Sequence, residues 1–323
     1  MREITFSEAL GEAILEEMER DPTIFTYGED IAKQGGIFGA YKSLLGKFPD
    51  RIFDTPISEE AIYGSALGAA LVGMRPVVEF HFADFLFTGI QSITLQIEKI
   101  RYMTGGQGKL HLVLRGPDGV AQSAAAQHSE SIETIFMHVP GIKIIIPSTP
   151  YDMKGLMKTA LRSDDPVICF EHKRLYKIKG PVPEEEYLIP FGVADIKREG
   201  KDVTVVAMSR MVHESLRAAN ELEKEGISVE MIDLRTLVPW DKKRVIESVK
   251  KTNHLVVAHE TWKRAGWGAE IASVVQEEAF DYLDAPILRV GEKNVPMPFS
   301  PPLEEFVTPD YKDVIKAIKK VLE

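Results

Sequence analysis

The stretch FDTPISEEAIYGSALGAALVGMRPVVEF (53–80) decides how this chain is built. It leaves a short extended run, enters a helical pattern at about 59–73 behind the candidate N-cap Ser58, and re-emerges as the apolar run RPVVEF at 75–80. A helix joining two extended runs is the unit of a parallel sheet, because parallel strands need a crossover between them. Glu59 and Glu60 stand where strand turns into helix, and almost everything after them is small or apolar. The helix carries Gly64, Ala66, Gly68, Ala69 and Ala70. A mid-helix glycine costs up to about 1 kcal/mol, so close approach by another backbone is expected to offset Gly64 and Gly68. The helix dipole stabilises a glutamate on the first turn, which is an ordinary role for Glu59. A carboxyl group beside a dry interface is also suited to exchanging a proton near neutrality.

Outward from that unit the alternation continues. TIFTYGE (23–29), KLHLVLRG (109–116), IKIIIP (142–147) and PVICFEH (166–172) read as strands, apolar nearly throughout as parallel strands buried on both faces must be. Helical patterns lie at about 6–20, 83–101, 129–138 and 150–163, with Asp84 and Ser148 or Thr149 as further N-cap candidates. Between 173 and 200 the rhythm breaks, and it restarts with DVTVVAM (202–208), ISVEMIDL (227–234), HLVVAHE (254–260) and PILRV (286–290), separated and followed by helices. The pattern predicts an α/β chain of two domains with mostly parallel sheets: 1–180, a connector at 181–200, and 201–323.

The 323 residues are 44% hydrophobic and 27% charged, the profile of a soluble globular protein. A formal net charge of −10, with Lys and Arg spread along the chain, argues against nucleic acid or an anionic membrane as partner. No apolar run approaches the roughly twenty residues of a membrane span. The opening MREITFSEALGEAIL is unlike a signal or transit peptide. The single cysteine, Cys169, sits in the apolar run PVICF and reads as core, so a reducing, cytoplasmic setting is expected.

Motifs of commoner α/β chemistries are missing: no phosphate-cradling Gly-x-x-x-x-Gly-Lys-Ser/Thr, no Gly-x-Gly-x-x-Gly after a strand, no Gly-x-Ser-x-Gly elbow. The eight histidines show no metal-ligand spacing. Gly105-Gly106-Gln107-Gly108 precedes a strand and reads as a flexible turn. His128, in AAAQHSESIET at a loop-to-helix junction, is suited to capping and packing, or to proton transfer and binding of an anionic substrate.

DTPISE (54–59), GAALVGMRPVVEF (68–80), RYMTGGQ (101–107), RGPDG (115–119), AAQHS (125–129), PGIKIIIPSTPYDMKGL (140–156) and IDLRTLVPWD (232–241) stand in an order and spacing that resemble one family over essentially the whole chain. It is the β subunit of the thiamine-diphosphate-dependent first component of 2-oxo acid dehydrogenase complexes, which includes the pyruvate, branched-chain 2-oxo acid and acetoin enzymes.

The resemblance implies a transketolase-like pyrimidine-binding domain, a transketolase C-terminal-like domain, and a heterotetramer of two α and two β chains with a β–β contact. The coenzyme would lie between α and β, its diphosphate and magnesium held by the α subunit. Glu59 matches the glutamate that hydrogen-bonds ring nitrogen N1′ of the aminopyrimidine and favours its imino tautomer. Phe85 matches the aromatic that stacks on that ring, while Ile57 and Glu29 match positions lining the pocket. His128 matches a histidine thought to steady the substrate carboxylate or assist acyl transfer to the lipoyl arm. A potassium site in relatives uses backbone carbonyls matching Leu112, Ala160, Leu161, Ser163 and Asp165. His81 departs from the amide or methionine common there.

The expected function is decarboxylation of a 2-oxo acid, pyruvate or branched-chain, and reductive acylation of a lipoyl group on the transacylase component, together with an α subunit. Acetoin cleavage is an alternative. Two rivals are weaker: a fragment-like relative of transketolase or deoxyxylulose-phosphate synthase, which are expected to carry the diphosphate-binding domain on the same chain, and a non-catalytic scaffold that only dimerises or binds the lipoyl-bearing core, against which Glu59, Phe85 and His128 together argue.

Overall fold

In the computed structural model, which describes residues 1–323, the opening stretch is the strand Ile52–Asp54, the helix Glu59–Leu71 and the strand Arg75–Glu79. Two units divide the chain: Met1–Asp118 with Ile135–Phe191, and Gly119–Thr134 with Gly192–Glu323. The α/β class with mostly parallel sheets is as expected.

In the first unit the strands run Lys143–Ile145, Val167–His172, Val113–Asp118, Arg75–Glu79, Ile24–Gly28, Ile52–Asp54 across the sheet, all parallel. Val113–Asp118 and Val167–His172 are buried at every position, as central parallel strands covered on both faces must be. The first of these begins later than the apolar run 109–116 suggests, and it includes Arg115 and Asp118 despite their charge. Arg115 is neutralised inside: its Nε donates to Glu171 Oε1 at 2.6 Å, and its other nitrogens bond Glu79 and Glu171. The helix Phe6–Arg20 opens on a reciprocal cap, Glu8 N–H to Thr5 Oγ1 at 3.2 Å and Thr5 N–H to Glu8 Oε2 at 2.7 Å. It packs on the helix Pro150–Arg162, which Thr149 caps through the Asp152 N–H.

The expected helix at 83–101 is three pieces: a 3₁₀ helix Ala83–Gly89, a π-helix Ser92–Ile97 and the single α turn Ile100–Met103. Asp84 does not cap it but is buried one residue inside the 3₁₀ turn. Tertiary contact overrides the helical pattern here. Ser58 makes no side-chain cap bond either.

The second unit holds the order Leu288–Glu292, Leu255–Trp262, Val203–Ala207, Val229–Asp233, Asp195–Arg198, with only the last strand antiparallel. Its helices Arg210–Glu223 and Tyr311–Val321 bury an apolar face on Val203, Val205, Met231 and Val256. The irregular 173–200 region contains two strands that sequence periodicity misses. Lys179–Val182 pairs with Arg2–Thr5, and Asp195–Arg198 forms the edge of the second sheet. Edge strands are half-exposed, so they show no continuous apolar run. No helix is long and apolar enough to cross a membrane.

Candidate active site

Three adjacent parallel strands bring the first group together. Glu29 follows Ile24–Gly28, Glu59 follows Ile52–Asp54 after a short turn, and His81 and Phe85 follow Arg75–Glu79. All four therefore lie beyond the carboxyl ends of neighbouring strands, where α/β sheets bind ligands.

The helix behind Glu59 is apolar all round. Ile62, Tyr63, Ala66 and Ala70 are buried, while Ala61, Ser65, Gly68 and Leu71 are exposed. A Cβ at Gly68 would meet nothing within 4 Å, so within this chain nothing uses the space that its missing side chain leaves. An apolar helix with an open, small-residue face is built for packing against another surface.

Glu59 is half-buried on the first turn. Glu29 is buried, and its carboxyl is held above the ordinary range by burial, then by the charges of Glu59 and Asp30. The Tyr63 hydroxyl is buried with no hydrogen-bond partner, and burial followed by the Glu59 and Glu29 charges pushes its pKa up. The charge of Glu59 thus bears on both Glu29 and Tyr63, and the Tyr63 hydroxyl is a buried polar atom without a partner. His81 Nδ1 lies 3.8 Å from Glu29 Oε2. Phe85 is half-buried and meets Phe82 edge-on, centroids 5.6 Å apart and planes at 78°. Ile57 stands in the turn before the helix, 79% exposed. Glu60, the neighbour of Glu59, accepts from Ser92 Oγ at 2.6 Å and has a local role.

His128 falls in the second unit, half-buried in the loop 119–134. Its N–H donates to Ala125 O at 3.4 Å, and Gly119 N–H closes the loop base on Glu130 O at 3.1 Å. Ser123 and Ala125 have φ of 58° and 63°, a left-handed conformation that costs an L-residue about 1–2 kcal/mol. Strain of this kind persists only where surroundings over-determine it, and it collects at functional sites.

Four of the five carbonyls matched to potassium are already engaged. Leu112 O accepts from Val167 N–H at 2.9 Å and Ala160 O from Ser163 N–H at 3.1 Å. Leu161 O accepts from Arg75 Nη1 at 3.0 Å, and Ser163 O from His111 Nδ1 at 2.8 Å. Arg75 carries a positive charge into this ring, so the fit for an added cation is incomplete. No group of three or more His, Cys, Asp or Glu side chains is placed to hold a metal. Cys169 is buried, and burial pushes its thiol pKa up, as for an inert core cysteine.

Two family models match: transketolase, pyrimidine-binding domain, over residues 2–179, and transketolase, C-terminal domain, over 192–314. The chain is 48% identical to the pyruvate dehydrogenase E1 component subunit beta of Rickettsia felis, covering 99% of this chain and 98% of that one. It is 42% identical to the 2-oxoisovalerate dehydrogenase subunit beta of Bacillus subtilis over 100% of both. To the acetoin:2,6-dichlorophenolindophenol oxidoreductase subunit beta of Cupriavidus necator it is 44% identical, over 100% of this chain and 98% of that one. The chain belongs to the β-subunit family of 2-oxo acid dehydrogenase first components.

A solved structure titled split gene transketolase, inactive beta4 tetramer, superposes with a TM-score of 0.82 at 27% identity, covering 99% of this chain and 98% of that one. It corrects one argument drawn from sequence, since a transketolase can be divided between chains. Full-length identities of 42–48% to dehydrogenase β subunits, against 27% here, favour the dehydrogenase family instead.

Within this β-subunit frame, sequence reasoning missed Tyr63. As an apolar-helix tyrosine it carries no signal of its own; only its spacing one helical turn after Glu59 places the two on one face. Also missed were the buried carboxylates Glu260 and Glu304, which bond the loop around His128.

Proposed function

We propose that this chain is the β half of an oxidoreductase that, with an α subunit, oxidatively decarboxylates a 2-oxo acid and reductively acylates a lipoyl group. The observation that carries the reading is the electrostatic link of Glu59 to Glu29 and Tyr63 at the carboxyl ends of adjacent strands in a β-subunit chain. Thiamine diphosphate suits it, because an aminopyrimidine offers both a ring nitrogen for a carboxyl group and an amino group for the buried hydroxyl. When bound, the coenzyme would supply a carbon nucleophile, once deprotonated, and an electron sink for the loss of carbon dioxide. Glu59 hydrogen-bonds the ring nitrogen and holds a proton there. The buried Glu29, with its raised affinity for a proton, keeps the neighbourhood of Glu59 from accumulating a second full negative charge. Phe85 packs on the ring face, and Ile57, exposed in the lone chain, is covered on assembly. His128 steadies the substrate carboxylate or assists acyl transfer.

The diphosphate and magnesium sites belong to the α subunit in this reading, and two α and two β chains form the working unit. Potassium at Leu112, Ala160, Leu161, Ser163 and Asp165 would use second lone pairs of carbonyls, and a thermal shift in KCl over NaCl would support it. No catalytic step passes through it. A cytoplasmic setting fits the single buried free thiol.

Pyruvate, branched-chain 2-oxo acids and acetoin are all candidate substrates, since relatives named for each are similarly close. A second reading has support in the structural neighbour, whose title describes an inactive tetramer of β chains. By that reading the β chain alone assembles with itself and lacks activity. Co-expression with an α subunit and a substrate panel tests both. Activity on a 2-oxo acid that is lost in Glu59→Ala, with the tetramer intact, supports the main reading; unchanged activity in that variant refutes it.

A further inference from the structure

The loop that bears His128 is held at both ends by buried groups remote in sequence. At its start, Val120 N–H donates to Glu260 Oε1 at 2.7 Å, and Ser123 N–H donates to Glu304 Oε2 at 2.7 Å. At its end, Trp267 Nε1–H donates to Glu133 Oε1 at 3.0 Å, and Trp267 N–H to Thr134 Oγ1 at 3.2 Å. Glu260, Glu304 and Glu133 are all buried. Val120 itself packs with Met297 and Val307 in a small apolar cluster of the second unit.

The carboxylates are themselves fixed. Glu260 bonds Arg210 Nε, and Arg210 Nη2 donates to Pro309 O at 2.7 Å. Glu304 sits in the short helix Pro301–Val307, whose end Thr308 ties back by donating N–H and Oγ1 to Glu304 O at 3.0 and 2.8 Å. A buried carboxylate is costly, and a carboxylate accepting backbone N–H groups is a strong, directional anchor. Two such anchors hold Val120 and Ser123, so they fix the start of the turn in which Ser123 and Ala125 take their left-handed conformation, just before His128.

We propose that Glu304 and Glu260 are positioning residues for the reaction: by accepting the Ser123 and Val120 N–H groups they lock the strained turn that presents the imidazole of His128. The proposal rests on the reading that His128 serves the acyl-transfer chemistry, but the lock is a claim about this chain alone. Without the Glu304 acceptor the turn relaxes and His128 samples several positions, which costs the step that needs its placement. Coenzyme binding, which uses other residues, is untouched.

The test is made on the assembled α–β enzyme with Glu304→Ala and Glu304→Gln. Glutamine keeps a carbonyl acceptor for the Ser123 N–H, whereas alanine has none. In Glu304→Ala, hydrogen exchange in a peptide covering 119–128 should speed up by at least about tenfold. Its kcat for lipoyl acylation should fall roughly ten- to a hundredfold, with thiamine diphosphate affinity unchanged. Glu304→Gln should recover most of both. If the alanine variant does not assemble, Glu304→Met, which keeps the apolar stem, takes its place. Exchange that stays at the wild-type rate overturns the lock, as does a glutamine variant as impaired as alanine. Faster exchange with unchanged turnover overturns the positioning role through His128. A His128→Ala enzyme as active as wild type would instead sink the functional reading, while the exchange result still judges the lock.

Discussion

Gly89 lies flat on Tyr63: a Cβ at residue 89 would overlap the tyrosine ring, coming within 2.5 Å of Cε2, and would sit 3.2 Å from the Glu59 carbonyl carbon. That contact is where the 3₁₀ helix carrying Phe85 meets the helix carrying Glu59. Replacing Gly89 by alanine must separate the two helices or rotate the ring. Overpacking of this kind costs about 1–3 kcal/mol, so Gly89→Ala should lower the urea midpoint and weaken coenzyme binding by the assembled enzyme. A variant as stable as the parent would show that the two helices do not bear on one another.

Arg115 is fully buried between Glu79 and Glu171, with Tyr176 Oη donating to Glu171 Oε2 at 2.7 Å. Glu79 has its carboxyl pushed up to about 7, by burial first, against the pull of Arg115. Arg115→Met would leave two carboxyl groups in a dry interior. Removing one partner of a buried ion pair costs about 3–5 kcal/mol; chemical denaturation of the variant should read a loss of that order. A loss below about 1 kcal/mol would mean that water reaches this cluster.

Glu98 is buried beside the π-helix Ser92–Ile97 with neither carboxyl oxygen hydrogen-bonded. Burial pushes its pKa up to about 8 from 4.5, Lys99 opposing. The folded chain therefore keeps a proton that the unfolded chain releases near 4.5. Stability from the protonated form is complete below that pH and is lost as pH rises through about 8. Glu98→Gln removes the titration, so its stability should fall less than that of the parent between about pH 5 and pH 9. Parallel stability curves for the two proteins would contradict the burial.

Substituting His128 should separate the two halves of the proposed reaction. In the assembled enzyme, His128→Gln should keep most decarboxylation measured with an artificial electron acceptor, and lose about a hundredfold in lipoyl acylation if acyl transfer is its task. Equal loss in both assays would assign it to the substrate carboxylate instead.

Much of the fold was legible because its signals are local. The strand Val167–His172 and the helix Phe6–Arg20 declare themselves by an unbroken apolar run and by a helical apolar pattern, both within a few residues. The strand Lys179–Val182 did not, being an edge strand paired with the first residues of the chain. Glu59, Glu29, Phe85 and His128 were found as motif positions, without any view of what surrounds them. The raised proton affinity of Glu29 and the unfilled hydroxyl of Tyr63 come from burial, which a residue's own letter does not report.

By itself the chain's order of residues determined two α/β halves and a family, since periodicity and capping act over a turn or a strand. Tertiary structure alone decided that residues 119–134 pack with the C-terminal half and that 83–103 winds in three different ways. Ser123 meets the carboxylate of Glu304 across 181 positions of chain. A bond between groups so far apart exists only once folding has removed both from water, and no local preference of either segment specifies it.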